Sequence, residues 1–95
     1  MSHIVNKKIT ISGTVQGVGY RRWLKELSDA NNANGWVLNK KNGEVEAVFI
    51  NTDAVLFKTI LSNCFLGSKK SVVENILVED FDLKRNETNV FEIKK

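Results

Sequence analysis

The chain has 95 residues, of which 42% are hydrophobic and 26% charged, and it carries a formal net charge of +3. That length accommodates one domain over residues 1–95, since two would each fall near the lower size limit, and the composition supplies a modest core without disulfides or a structural metal. The single cysteine, Cys64, excludes an intrachain disulfide and any cysteine-built metal site, and no apolar run approaches the roughly 20 residues of a membrane span.

From about Lys8 to Val15, Ile9, Ile11 and Val15 alternate with Thr10, Ser12 and Thr14 at the two-residue period of a half-buried strand. After the glycine-bearing stretch Gly13 to Gly19 the period changes. Tyr20, Trp23, Leu24, Leu27 and Ala30 follow the spacing of an amphipathic helix, which Asn31, Asn32 and Asn34 stop. Two apolar runs, Trp36 to Leu38 and Val45 to Ile50, flank Lys40, Lys41, Asn42 and Gly43. Asn-Gly there predicts a hairpin closed by a type I′ turn, in which both residues take positive φ. Thr52 or Asp53 then caps a second helix carrying Phe57, Ile60, Leu61 and Cys64 and ending near Gly67. An extended stretch from Val72 to Leu83, a polar turn from Lys84 to Asn89 and a short strand around Val90 to Ile93 complete the chain.

The order is strand, helix, strand, strand, helix, strand, strand. It predicts an α+β, ferredoxin-like split βαβ sandwich: an antiparallel sheet of four to five strands with both helices packed on one face.

Gly13, Gly17 and Gly19 allow the backbone before the first helix to turn several N–H groups toward one point. Those amides lead into a helix N-terminus, where unpaired N–H groups and the dipole favour an anion. Arg21 and Arg22 stand in the first turn, where the dipole disfavours a cation by about 0.3 to 1 kcal/mol each; a bound dianion reverses that cost. Neighbouring helical positions point about 100° apart, so the two guanidinium groups are expected to serve different surroundings, and geometry alone does not choose between them. A Walker loop and a dinucleotide fingerprint both fail, because no lysine followed by serine or threonine comes after Gly17 or Gly19, and Arg22 stands where the fingerprint needs glycine.

The run Gly13-Thr14-Val15-Gln16-Gly17-Val18-Gly19-Tyr20-Arg21 resembles the first signature of the acylphosphatases. Gly35-Trp36-Val37-Leu38-Asn39, followed by Asn42-Gly43-Glu44-Val45-Glu46, is similar to their second. The resemblance extends from the first strand through the second helix and loosens after Gly67. It implies the ferredoxin-like fold and metal-independent hydrolysis of the carboxyl-phosphate bond of small acyl phosphates, with no cofactor. By the same resemblance Gln16, Gly17, Val18, Gly19, Tyr20 and Arg21 form the phosphate-binding loop, Arg21 holds the phosphoryl group and Asn39 positions the attacking water. Gln16 either bonds the backbone of its own loop, the preferred assignment, or touches substrate. The chain departs from the family pattern at Asn42, where aspartate is usual, at Ser28 for a helical alanine, and at Lys69 and Lys70 in a region often rich in proline; none of these touches the expected chemistry.

An acyl phosphate releases a carboxylate, which needs no general acid near neutral pH, and the chain has little acid-base equipment. His3, the only histidine, is expected in a disordered N-terminus, and Cys64, Trp23 and Trp36 are expected to pack in the core. The expected ligands are a small acyl phosphate and inorganic phosphate, as product or competitive inhibitor. Neither nucleic acid nor membrane is an expected partner: the lysine pairs are dispersed and the aromatic-rich strands of an RNA-recognition motif are missing. Met1 to Asn6 lacks the features of a signal peptide, so a cytoplasmic monomer is expected.

Overall fold

Alternation in the first strand reaches further toward the N-terminus than the apolar pattern suggests. In the computed structural model, which describes residues 3–83 and 88–94, β1 spans Ile4–Thr14, followed by α1 (Tyr20–Ala30), β2 (Asn34–Asn39), β3 (Val45–Asp53), α2 (Ala54–Leu66), β4 (Val72–Asp80) and β5 (Phe91–Lys94). Lys7 and Lys8 extend β1 despite their charge because they face Asp80 and Glu79 of β4, with the Lys7 Nζ 2.6 Å from the Asp80 carboxylate. Asp80 is held below its usual carboxylate range by that lysine. His3 is exposed, yet its carbonyl accepts the Ala54 N–H at 2.7 Å, so its backbone is tied down rather than disordered as expected.

The sheet order is β4-β1-β3-β2-β5. The first four strands pair antiparallel, but β5 pairs parallel with β2, Gly35 opposite Phe91 and Leu38 opposite Lys94, so the sheet is mixed rather than wholly antiparallel. Both helices lie on one face. There Ile9, Ile11, Val37, Ala47 and Phe49 of the strands meet Leu24, Phe57 and Ile60 of the helices. Phe49 stacks on Phe91 at 5.4 Å and meets Phe57 edge-on at 5.8 Å.

Alternation leaves Trp36, Val48 and Ile50 on the opposite face, where water would otherwise reach them. This explains why β4 stops at Asp80 instead of running to Leu83. Phe81 and Leu83 swing across that face to cover Trp36, the Phe81 ring lying edge-on at 5.7 Å and its N–H bonded to the Asn6 carbonyl. The predicted turn from Lys84 to Asn89 falls mostly outside the described residues.

Between β2 and β3 the chain turns differently from the type I′ expectation. Gly43 has φ 96°, but Asn42 is not at positive φ; the Gly43 N–H bonds the Lys40 carbonyl and the Lys40 N–H bonds the Glu44 carbonyl. This is the longer hairpin in which glycine follows the turn as a bulge, and the Asn42 side chain stabilises it by accepting the Glu44 N–H.

Cys64 is buried in the core and its thiol is pushed up to about 12 by that burial. Tyr20, also buried, donates its hydroxyl to the Cys64 carbonyl at 2.7 Å and is likewise shifted upward, first by burial and then by the neighbouring thiol. A folded-state value above the unfolded one contributes stability below the unfolded value and loses it as pH rises through the folded one. These two groups should therefore leave the urea midpoint level from neutral pH up to 9.0, the ordinary thiol value, and lower it as pH climbs toward about 12; Cys64→Val should soften the first part of that fall.

Candidate active site

The two helices begin differently. At α2, Asp53 caps the helix, its carboxylate accepting the Leu56 N–H at 3.1 Å. At α1 the N-cap is Gly19, in the left-handed conformation at φ 77° and ψ 18°, which offers no capping side chain; no acidic residue stands in the first turn. The first intrahelical bond runs from Trp23 N–H to the Gly19 carbonyl, so the amides of Gly19 to Arg22 have no protein partner among the described residues. Four orphan donors, two arginines and the positive end of a helix dipole thus meet at one point.

A cavity of about 180 Å³ opens there, lined by Val15, Gly17, Gly19 and Tyr20 of the loop, by both Arg21 and Arg22, by Asn39 at the end of β2 and by Ile93 of β5. The structure therefore brings Arg21 and Asn39, 18 positions apart in the sequence, to the walls of one cavity. Arg22 also lines it, although it is exposed. Arg21 makes a long 3.4 Å bond from Nη1 to the Lys94 carbonyl.

Asn39 carries the most informative atom. Its side-chain oxygen is buried and has no hydrogen-bond partner among the described residues. Such an oxygen costs about 1–3 kcal/mol unless something fills the place beside it. Gln16 and Val18 do not line the cavity. The Gln16 amide nitrogen donates to the Lys40 carbonyl at 2.7 Å and the Glu44 carbonyl at 2.9 Å, so it grips the neighbouring hairpin rather than the backbone of its own loop. Lys40 adjoins Asn39, so Gln16 sets the distance between the loop and Asn39. Val18 packs its side chain against the core, and its carbonyl accepts the Ser68 hydroxyl at 2.9 Å.

Ile93 and Val15 were not legible as cavity walls: Ile93 arrives only through the parallel pairing of β5, for which the sequence carries no local signal. A second cavity, of about 320 Å³, lies at the other end of α1 beside Asp29, Asn32 and Asn34. There the helix dipole is negative and Asp29 adds a carboxylate, which suits an anion poorly. Among the described residues no cluster of three or more His, Cys, Asp or Glu is placed to hold a metal ion, and no helix is long and apolar enough to cross a membrane.

The chain is similar to known proteins over most of its length. The acylphosphatase family model matches residues 7–93. An acylphosphatase of Rhodopseudomonas palustris is 39% identical over 79 residues, covering 83% of this chain and 78% of that protein. The crystal structure of acylphosphatase from Bacillus subtilis superimposes with a TM-score of 0.86 at 27% identity, over 96% of this chain and 99% of that one. An acylphosphatase structure from Coxiella burnetii gives the same TM-score at 23% identity, over 96% and 93% of the two chains, a likeness that bears on the fold. With a family match over nearly its whole length and a relative of this similarity, the chain belongs to the acylphosphatase family.

Proposed function

We propose that this protein hydrolyses the carboxyl-phosphate bond of small acyl phosphates without a metal, giving a carboxylate and inorganic phosphate, with the α1 N-terminus and Arg21 as the phosphoryl site and Asn39 as the group that places the water. The observation that carries this reading is the buried, unpartnered side-chain oxygen of Asn39, a residue that lines the same cavity as the uncapped helix. An amide there accepts a proton of water with its oxygen and leaves its nitrogen for a phosphate oxygen, which fixes an in-line approach.

The chemistry asks for little else. Phosphoryl transfer depends on position and on stabilising charge spread over three equatorial oxygens, which backbone amides and a guanidinium supply. The carboxylate departs unprotonated, in keeping with a cavity whose walls carry no histidine or carboxylic acid among the described residues. The working unit in this reading is a cytoplasmic monomer, in keeping with a single, buried cysteine that suits a reducing compartment.

Acetyl phosphate incubated with the protein and excess chelator should be hydrolysed at an undiminished rate, with inorganic phosphate inhibiting competitively. No turnover, or turnover abolished by the chelator, contradicts the proposal. Gln16→Ala frees the loop from the hairpin and should lower kcat/KM about tenfold, the scale of one lost positioning contact, with kcat falling more than phosphate affinity. Steady-state kinetics beside a phosphate inhibition series checks it.

A further inference from the structure

The connection between α2 and β4 lies against the far side of the loop and contributes nothing to the cavity walls, yet it holds a network of short bonds. Ser68 is buried, at 8% exposure, and donates its hydroxyl to the Val18 carbonyl at 2.9 Å. Ser71 donates to the Ser68 carbonyl at 2.8 Å, and the Ser71 N–H reaches the same carbonyl at 3.1 Å. Tyr20, the first residue of α1, bonds the Cys64 carbonyl near the end of α2. The glycine between these anchors, Gly67, has no room for a side chain, since a Cβ there would press on the Tyr20 ring and the Ser71 hydroxyl.

The Val18 carbonyl and the Gly19 N–H belong to one peptide unit. No cis peptide occurs among the described residues, and in a trans unit C=O and N–H point in opposite directions. Holding the carbonyl against Ser68 therefore turns the Gly19 N–H away from the α2–β4 connection, and Gly19 is a wall of the cavity. Gly19, on one side of this peptide, tolerates either sign of φ, so a flip is less restrained here than between two residues that both carry side chains. A flip would replace an N–H donor with a carbonyl oxygen facing an anion.

We propose that Ser68 is a positioning residue for the phosphoryl site: its hydroxyl locks the Val18–Gly19 peptide so that the Gly19 N–H is presented to the bound phosphate. The inference rests on the cavity being the phosphate site, and its test separates the two. In wild-type protein, titration with inorganic phosphate followed by amide NMR should move the Gly19 N–H proton downfield. Ser68→Ala should raise KM for acetyl phosphate and the phosphate inhibition constant together, by about tenfold or more, the weight of one misdirected hydrogen bond to a charged group, while kcat changes less. Ser68→Thr should restore both constants to within about twofold because it keeps the hydroxyl, and Ser71→Ala, which loses a bond of similar length made only to the connection itself, should leave them unchanged.

A Gly19 amide that stays in place while phosphate shifts the Arg21 and Asn39 signals overturns the lock and leaves the phosphate site standing. Phosphate that shifts none of these residues removes the site and the lock with it. Equal losses of thermal stability in Ser68→Ala and Ser71→Ala, with KM untouched in both, assign Ser68 to structure alone and overturn the lock. The wild-type titration decides the matter even where Ser68→Ala does not fold.

Discussion

Arg21→Lys should lose nearly as much activity as Arg21→Ala, each lowering kcat/KM by about 100- to 1,000-fold, the cost of removing one preorganised donor from a developing charge. The lysine keeps the charge. It loses the planar fork whose parallel N–H groups match two oxygens of a phosphoryl group, and a flexible ammonium cannot reproduce that geometry. Among the described residues Arg21 is held only by a long bond to the Lys94 carbonyl, which a dianion in the cavity would readily displace. The opposite sign is expected for stability. A cation in the first turn of α1 opposes the helix dipole at a cost of about 0.3 to 1 kcal/mol, so Arg21→Ala should melt at the same temperature as wild type or slightly higher. Near-normal kcat/KM in Arg21→Lys sinks the assignment of Arg21 to the phosphoryl group.

Asn39→Ala should separate turnover from binding. If the amide places water and does little for the ground-state anion, kcat falls by about 100-fold or more while the phosphate inhibition constant moves by no more than about threefold. The same substitution removes a buried oxygen that has no protein partner, relieving a cost of about 1–3 kcal/mol in the unliganded protein, so little stability should be lost with the activity. Parallel losses of turnover and phosphate affinity would place Asn39 on the anion itself. A collapse of the melting temperature would make it a structural strand-end residue. Kinetics, phosphate inhibition and a thermal melt on one preparation distinguish these outcomes.

Much of this site was legible because its signals are local. The change from a two-residue to a helical period at Tyr20, the glycines before it and the cation of unfavourable sign at Arg21 all lie within a few residues of one another. Asn39 stood out only through its motif, since a strand-end asparagine beside a turn has ordinary structural uses. What was not legible depends on contacts between distant segments. The parallel seat of β5 beside β2, which delivers Ile93, has no periodic signature of its own in four residues. Phe81 and Leu83 alternate as a strand would, but past Asp80 they cover Trp36 on the bare face of the sheet, with Phe81 keeping one bond to β1 at the Asn6 carbonyl. Gln16 was expected to serve its own loop, yet the β2–β3 hairpin presents two carbonyls to it. The Asn-Gly pair marked that hairpin correctly and misjudged its turn, because Asn42 stabilises the bulged form with its side chain instead of taking positive φ.

Hydrolysis of acetyl phosphate in water enriched with oxygen-18 tests the central claim most directly. With the phosphoryl group at the α1 N-terminus and the water delivered by Asn39, the P–O bond breaks, and one labelled oxygen per turnover should enter inorganic phosphate while the acetate stays unlabelled. Label in the acetate instead would mean that water attacks the carbonyl carbon, which contradicts both the phosphoryl site and the role of Asn39.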